Sequence, residues 1–256
     1  MTLPIHLLPW QWALGAACVL MVGLTKTGLP GLGILFVPLF ALVLPARLST
    51  GALLPLLMVG DAIAVTWYRR QAVWSHLVRL LPWAGIGIVA GFLLLGKIDD
   101  ATLRPVLGIL IIVMLAFNIW RERPWEDPAR RTRPLPPIPT AWWFAALMGV
   151  LAGATTMLAN AAGPVMLVYL LAMRLPKDEF LGTGAWFFAI VNAVKVPFSA
   201  SLGLITGPSL VFDAILAGGV ILGAGVGILA ARRMPERAFS VGVQVLALAS
   251  AILLLF

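Results

Sequence analysis

Apolar residues run along this chain in long, nearly unbroken blocks. They fall at about 9–24, 33–44, 48–68, 77–96, 102–119, 141–159, 163–173, 179–201, 209–231 and 238–256. Runs such as LVRLLPWAGIGIVAGFLLLG (77–96) and LVFDAILAGGVILGAGVGILAA (210–231) reach the ~20 residues a helix needs to cross hydrocarbon. Membrane strands would instead alternate over ~10 residues, and these blocks do not. The pattern predicts an all-α, multi-pass membrane protein of about ten membrane segments. The one long polar stretch, RERPWEDPARRTRPLPPIP (121–139), is rich in proline and charge and reads as a linker in solvent. It separates a first repeat, 1–120, from a second, 140–256, of five segments each.

Composition narrows the class. The 256 residues are 61% hydrophobic and 11% charged, with a mean hydropathy of +1.03. A soluble domain carries roughly 25% charged residues, so this chain has too little polar surface to cover a water-soluble globule. The net charge of +8 would ordinarily raise nucleic acid as a partner. The basic residues gather at the ends of apolar blocks, where cytoplasmic loops hold them, and that partner is excluded. Cys18 is the only cysteine, so no intrachain disulfide or multi-cysteine metal site is expected. No basic stretch precedes the first apolar block, which argues against a cleaved signal peptide.

The halves resemble each other. Pro45 stands 16 residues before Asp61, and Pro176 stands 16 before Asn192. Gly51 and Gly182 each follow their proline by six. The second segment of each half is short: 33–44 would span about 18 Å as a helix and 163–173 about 17 Å, short of a ~30 Å core. Both read as return arms of helical hairpins, leaving eight full spans. With alternating spans, fourteen of the eighteen Lys and Arg residues fall on one side and three on the other. The rich side is then cytoplasmic, with the linker, and both termini lie outside. Five segments per half is odd, so the halves insert with opposite topology. Such inverted repeats, with paired short segments interrupted by Gly or Pro, mark secondary transporters and point to their binding sites.

The first interruption is GLTKTGLPGLG (23–33) and the second is ATTMLANAAGP (154–164). Non-helical backbone at membrane depth is tolerated only against protein or a water-filled cavity. Helix ends there expose unpaired N–H groups with partial positive charge. Such ends bind anions. Lys26 would add a full charge, Thr25 and Thr27 hydroxyls, and Gly28 and Gly31 close access to the backbone. The second break offers Thr155, Thr156 and Asn160. Together they suggest a cradle for a small oxyanion. The alternatives are a Lys26 that snorkels to the headgroups and threonines that bond their own helix.

Polar residues within the apolar blocks extend the candidate site. Asp61 lies mid-segment, where ionised side chains cost ~2.5–3.5 kcal/mol on insertion scales; it reads as a proton carrier, a cation's partner, or half of a structural salt bridge. Asn192 holds the equivalent place in the second half. Lys195 tempts as the partner of Asp61. Counting 1.5 Å per residue from opposite membrane faces separates the two by on the order of 14 Å. Lys195 is therefore expected to attract anions in an outer vestibule or to snorkel outward. Asp213 is close enough to a segment end to read as solvated.

These stretches resemble the TauE/SafE sulfite-exporter-type anion permeases over nearly the whole chain. The resemblance is carried by GLGILFVPLFALVLPARLSTGALLPLL (31–57), DAIAVTWYRR (61–70), ANAAGPVMLVYLLAMRLPKDEFLGTGAWFFAIVNAVKVPFS (159–199) and LGLITG (202–207). Where many relatives carry a GIGGG-type run, this chain has GLPGLG. The resemblance implies transport of sulfite, sulfonates or related small organic anions, in a bacterial inner membrane. The expected protein is a secondary transporter working in the export direction by alternating access, with Asp61 coupling movement to a proton. Its expected partners are a small anionic substrate and the bilayer, with room for a homodimer, and no cofactor or metal is called for. A passive anion channel is the nearest rival. A lipid-phosphate enzyme or a membrane scaffold stands further off, since the chain has no HExxH, no His–carboxylate cluster and no soluble domain.

Overall fold

A computed structural model describes residues 7–44, 46–94 and 142–255. The predicted segment 102–119 and the linker 121–139 lie outside the described residues. The described residues form α1 (Pro9–Thr27), α2 (Gly33–Val43), α3 (Ala46–Tyr68), α4 (Trp74–Leu94), α5 (Trp142–Ala159), α6 (Ala162–Met173), α7 (Lys177–Ser201), α8 (Gly207–Arg233) and α9 (Glu236–Leu255). Five stretches among them are long and apolar enough to cross a membrane: Ser49–Tyr68 within α3, and all of α4, α5, α7 and α8. The described residues are all-helical, and the length and apolarity of these spans fit a multi-pass membrane protein.

Helix boundaries follow local chemistry. Pro9 opens α1, where a missing N–H costs nothing. Gly28 ends it, and Pro30 with the positive-φ Gly31 (φ 112°) turns the chain into α2. Asn160 (φ 53°) makes the corresponding turn between α5 and α6, a left-handed conformation that asparagine tolerates better than most residues. Thr206 caps α8 by accepting the Ser209 N–H at 3.2 Å, with Pro208 in the first turn.

The two short helices double back on their predecessors. Gln11, near the start of α1, donates to the Val43 carbonyl at the end of α2. Phe144, near the start of α5, stacks on Tyr169 near the end of α6, with ring centroids 5.7 Å apart. Each pair is a hairpin with its tip in the bundle. The helix α2 packs on α6, and α3 packs on α7.

Two tight pairs flank this centre: α4 with α5, and α1 with α8. Membrane helices approach closely where residues are small, because apolar surface alone gives no drive to associate in lipid. A Cβ on Gly153 would stand 2.0 Å from the Ala84 carbonyl oxygen, and one on Gly87 2.2 Å from that of Val150. The α1–α8 seam repeats this with Gly23 against Val220 and Gly223 against Leu20, both at 2.1 Å. One apolar core lies among α1, α2, α3 and α8, around Cys18, Phe40 and Leu53. The other lies mainly among α4, α5, α6 and α7, around Leu80, Met148 and Phe187. The far faces of α4 and α8 expose Val78, Leu93, Ile215 and Leu222, as suits helices that meet lipid.

Asp213 departs from the sequence expectation. It sits nearly two turns into α8, is 4% exposed, and neither carboxyl oxygen has a partner. The segment end is farther away than its sequence position suggests, and α1 and α3 pack against α8.

Two stability outcomes follow. Gly153→Leu should cost on the order of 1–3 kcal/mol through overpacking of the α4–α5 seam, whereas Gly85→Leu, with open space around it, should leave the thermal midpoint in detergent nearly unchanged. Asp213→Leu should raise that midpoint, since an unpaired buried polar group costs about 1–3 kcal/mol in proteins; a lower midpoint would show that the carboxyl has a structural partner.

Candidate functional site

The helix α1 runs further than the sequence suggests. Its last turn includes Thr25, Lys26 and Thr27, so the lysine stands on the final helical turn and the break proper is 28–32. Thr27 explains the extension. Its hydroxyl lies 3.0 Å from the Gly23 carbonyl and 2.8 Å from that of Ala224 on α8. Gly28 is equally structural: a Cβ there would meet the Gly227 carbonyl oxygen at 2.2 Å. Thr27 and Gly28, proposed from sequence as ligand contacts, belong to the α1–α8 seam.

The Lys26 ammonium lies 2.6 Å from Asp61 Oδ1, with side chains only 7% and 2% exposed. The other carboxylate oxygen accepts from Asn192 Nδ2 at 2.6 Å. Lys26 Nζ also sits 4.3 Å from the centroid of the Phe188 ring, a cation–π contact. Three helices therefore meet at one carboxylate: α1 gives the cation, α3 the acid and α7 the amide. Tyr68, at the end of α3, donates its hydroxyl to the Thr27 carbonyl at 2.8 Å and ties the hairpin tip to α3 a second time.

Lys195, one turn beyond Asn192, does not reach outward. It is 1% exposed. Its amino group donates to Thr156 Oγ1 at 3.2 Å and to Asn160 Oδ1. Asn160 in turn donates to the Thr50 carbonyl at 3.0 Å, linking the second hairpin tip to α3. The outer-vestibule and snorkelling expectations for Lys195 are thus replaced by a buried anchor of the α5–α6 tip. The cation paired with Asp61 is Lys26. Thr155 turns to its own helix, its hydroxyl 2.7 Å from the Leu151 carbonyl.

Between the hairpin tips lies a cavity of about 70 Å³, bordered by Thr25, Lys26, Gly31, Gly33, Thr156, Asn160, Gly163 and Asn192. Its remaining wall is apolar, formed by Phe36, Leu57, Met166, Leu167 and Phe188 among others. One water needs roughly 10–15 Å³ of such space, so the cavity holds several waters or one small solute. The Thr25 hydroxyl is buried there with no protein partner. The first turns of α2 and α6 border it, and neither carries a side-chain cap, so their leading N–H groups lack that partner. Of the predicted residues, Thr25, Lys26, Gly31, Thr156, Asn160 and Asn192 line this cavity; Asp61 and Lys195 stand directly behind them. Sequence reading missed Phe188, Thr50 and Tyr68, which carry no motif and matter only through tertiary contact.

Chemically, the cavity offers an amino group, two hydroxyls and two amides inside an apolar shell. These groups are hydrogen-bond donors and a cation gathered in a buried space. Lys26 is paired with the Asp61 carboxylate, while Lys195 bonds the neutral oxygens of Thr156 and Asn160. The chain matches the family described as Sulfite exporter TauE/SafE over residues 15–254, and it belongs to that family of membrane transporters. No solved structure matches the chain.

The ion pair sets a stability test. Breaking a buried pair leaves a charge uncompensated and costs about 3–5 kcal/mol. Lys26→Met and Asp61→Leu should each lower the thermal midpoint sharply. The double variant should lose less than the sum of the two.

Proposed function

We propose that this protein is a secondary transporter of small sulfur-containing or organic anions, sulfite and sulfonates first among them, and that the cavity between the hairpin tips is its substrate site. The observation that carries the reading is Lys26. Its amino group borders a small internal cavity that also presents Thr25, Thr156, Asn160 and Asn192. An oxyanion seated there would take charge from Lys26 and hydrogen bonds from the hydroxyls, the amides and the leading N–H groups of α2 and α6. Lys195 would hold Thr156 and Asn160 in place.

Two inverted repeats, 1–120 and 140–256, fit the packing. Exchanging the halves carries the α1–α2 hairpin onto α5–α6, α3 onto α7 and α4 onto α8. The α1–α8 pair then becomes α5–α4, which is the other glycine seam. Gly51 on α3 packs on Leu204, just after α7, and Gly182 on α7 packs on Gln71, just after α3. Asp61 and Asn192, at equivalent positions, bond each other. Thr25 and Thr156 stand in the same register and both line the cavity. Alternating access would rock the α1–α8 and α4–α5 pairs against each other across this centre. An incoming anion would compete with Asp61 for Lys26, and the released carboxylate would be free to exchange a proton, which is the coupling we assign to it. With the basic loops cytoplasmic in a bacterial inner membrane and both termini outside, export is the direction we favour.

Proteoliposomes test this. Wild-type protein should take up sulfite with stoichiometric movement of protons. Lys26→Gln should raise the apparent KM at least tenfold, as expected when a charge-assisted contact worth about 1.5–3 kcal/mol is lost. Unchanged uptake and KM in that variant would remove the lysine from the site. Sulfite flux without stoichiometric proton movement would assign the protein to the passive channels.

A further inference from the structure

A second concave surface lies at the ends of α3 and α8, on the face we read as cytoplasmic. It is a recess of about 510 Å³ bordered by Trp67, Tyr68, Arg69, Arg70, Asp178 and Arg232 among others. Three arginines face one carboxylate, and among the described residues none of the three lies within 4 Å of an acid. Arg232 sits over the Trp67 ring, Cζ 4.5 Å from its centroid, a cation–π contact. The contact restrains the Arg232 side chain at the border of the recess, and a guanidinium suits an oxyanion.

The turn that carries Arg69 and Arg70 is built rather than loose. The Trp186 indole N–H donates to the Arg69 carbonyl at 3.4 Å. The Gln71 N–H closes on the Tyr68 carbonyl at 2.9 Å. Gly182 lets α7 press against Gln71, where a Cβ would come within 2.8 Å. The Val73 N–H donates to Thr183 Oγ1 at 2.9 Å. An arginine pair on a turn pinned at four points is more than a solvated charge run.

The recess also abuts the substrate cavity. Tyr68 lines the recess while its hydroxyl bonds the carbonyl of Thr27, the residue after Lys26. Asp178 lines the recess, and two residues on Phe180 lines the cavity. Tyr68 and the first turn of α7 thus connect the surroundings of the two spaces.

We propose that this recess is a second oxyanion site, which collects small sulfo- or carboxylate anions from the aqueous face and delivers them to the Lys26 cavity past Tyr68. Delivery rests on the transporter reading above; binding at the arginines does not. The same chemistry would accept a lipid phosphate, but a pocket open at the aqueous turn and walled by Asp178 favours a free solute.

Titration calorimetry with sulfite, on purified full-length protein in a neutral detergent, decides the matter. Wild type should show two binding events. The variant with Arg69→Gln, Arg70→Gln and Arg232→Gln should lose one and keep the other, and Lys26→Gln should show the converse. Asp178→Asn should tighten the arginine event several-fold, an effect that misfolding cannot produce. Ionic strength of about 1 M, with a screening length near 3 Å, should weaken the arginine event by roughly an order of magnitude and the interior event far less. A triple variant that binds as wild type does, or a wild type that shows no arginine-dependent event, overturns the proposal. So does loss of the arginine event on adding phosphatidylglycerol, which would make the occupant a lipid headgroup. Loss of only the Lys26-dependent event would instead count against the interior site.

Discussion

An ammonium and a carboxylate in contact inside an apolar helical bundle impose a strict condition on the fold. Neither ion is tolerable there alone, and together they offset their desolvation only in good geometry with further hydrogen bonds. Lys26 and Asp61 meet that condition at 2.6 Å, with Asn192 on the second carboxylate oxygen and Phe188 beneath the ammonium. The condition fixes where the α1–α2 tip, α3 and α7 stand relative to one another. It also leaves Lys26 with one flank on the carboxylate and one on the cavity. In the transport function we propose, an entering anion would meet a cation already partly satisfied, so its binding would be moderated and its release accessible.

The glycine seams make that arrangement possible. Close backbone approach in α1–α8 and α4–α5 turns each pair into a compact unit, to which the Thr27 hydroxyl adds its bond to the Ala224 carbonyl across α1–α8. The polar chemistry is then concentrated where α3 crosses α7 and the hairpin tips meet. The second tip solves its own problem differently: Lys195 donates to neutral oxygens on Thr156 and Asn160, and Asn160 passes the tie to α3. Each hairpin tip is therefore anchored by a buried lysine, yet the two lysines come from different helices and have different partners.

Much of the architecture was legible because hydrocarbon imposes length. The short blocks at 33–44 and 163–173 match α2 and α6 to within a residue, since Pro, Gly and Asn interrupt the apolar run at each tip. The paired spacing of Pro45 and Asp61 with Pro176 and Asn192 singled out two residues that bond each other. What could not be read was which side chains spend their polarity on the protein. Gly, Thr and Lys suit a last helical turn as well as a loop, so the end of α1 fell three residues later than its apolar block. Thr27 and Gly28 look like ligand groups in sequence and are packing groups in space, because their partners on α8 are some two hundred residues away. Lys195 and Asp213 were misjudged for a related reason: depth along one helix does not show what the neighbouring helices cover.

The central claim is that a small oxyanion rests between the hairpin tips against Lys26. Selenite, the heavier analogue of sulfite, scatters anomalously, so diffraction from crystals grown with it locates the anion directly. The account predicts an anomalous peak inside the cavity, within hydrogen-bonding distance of Lys26 Nζ and of Thr25, Thr156 or Asn160. An empty cavity, with selenite bound only elsewhere, would contradict it.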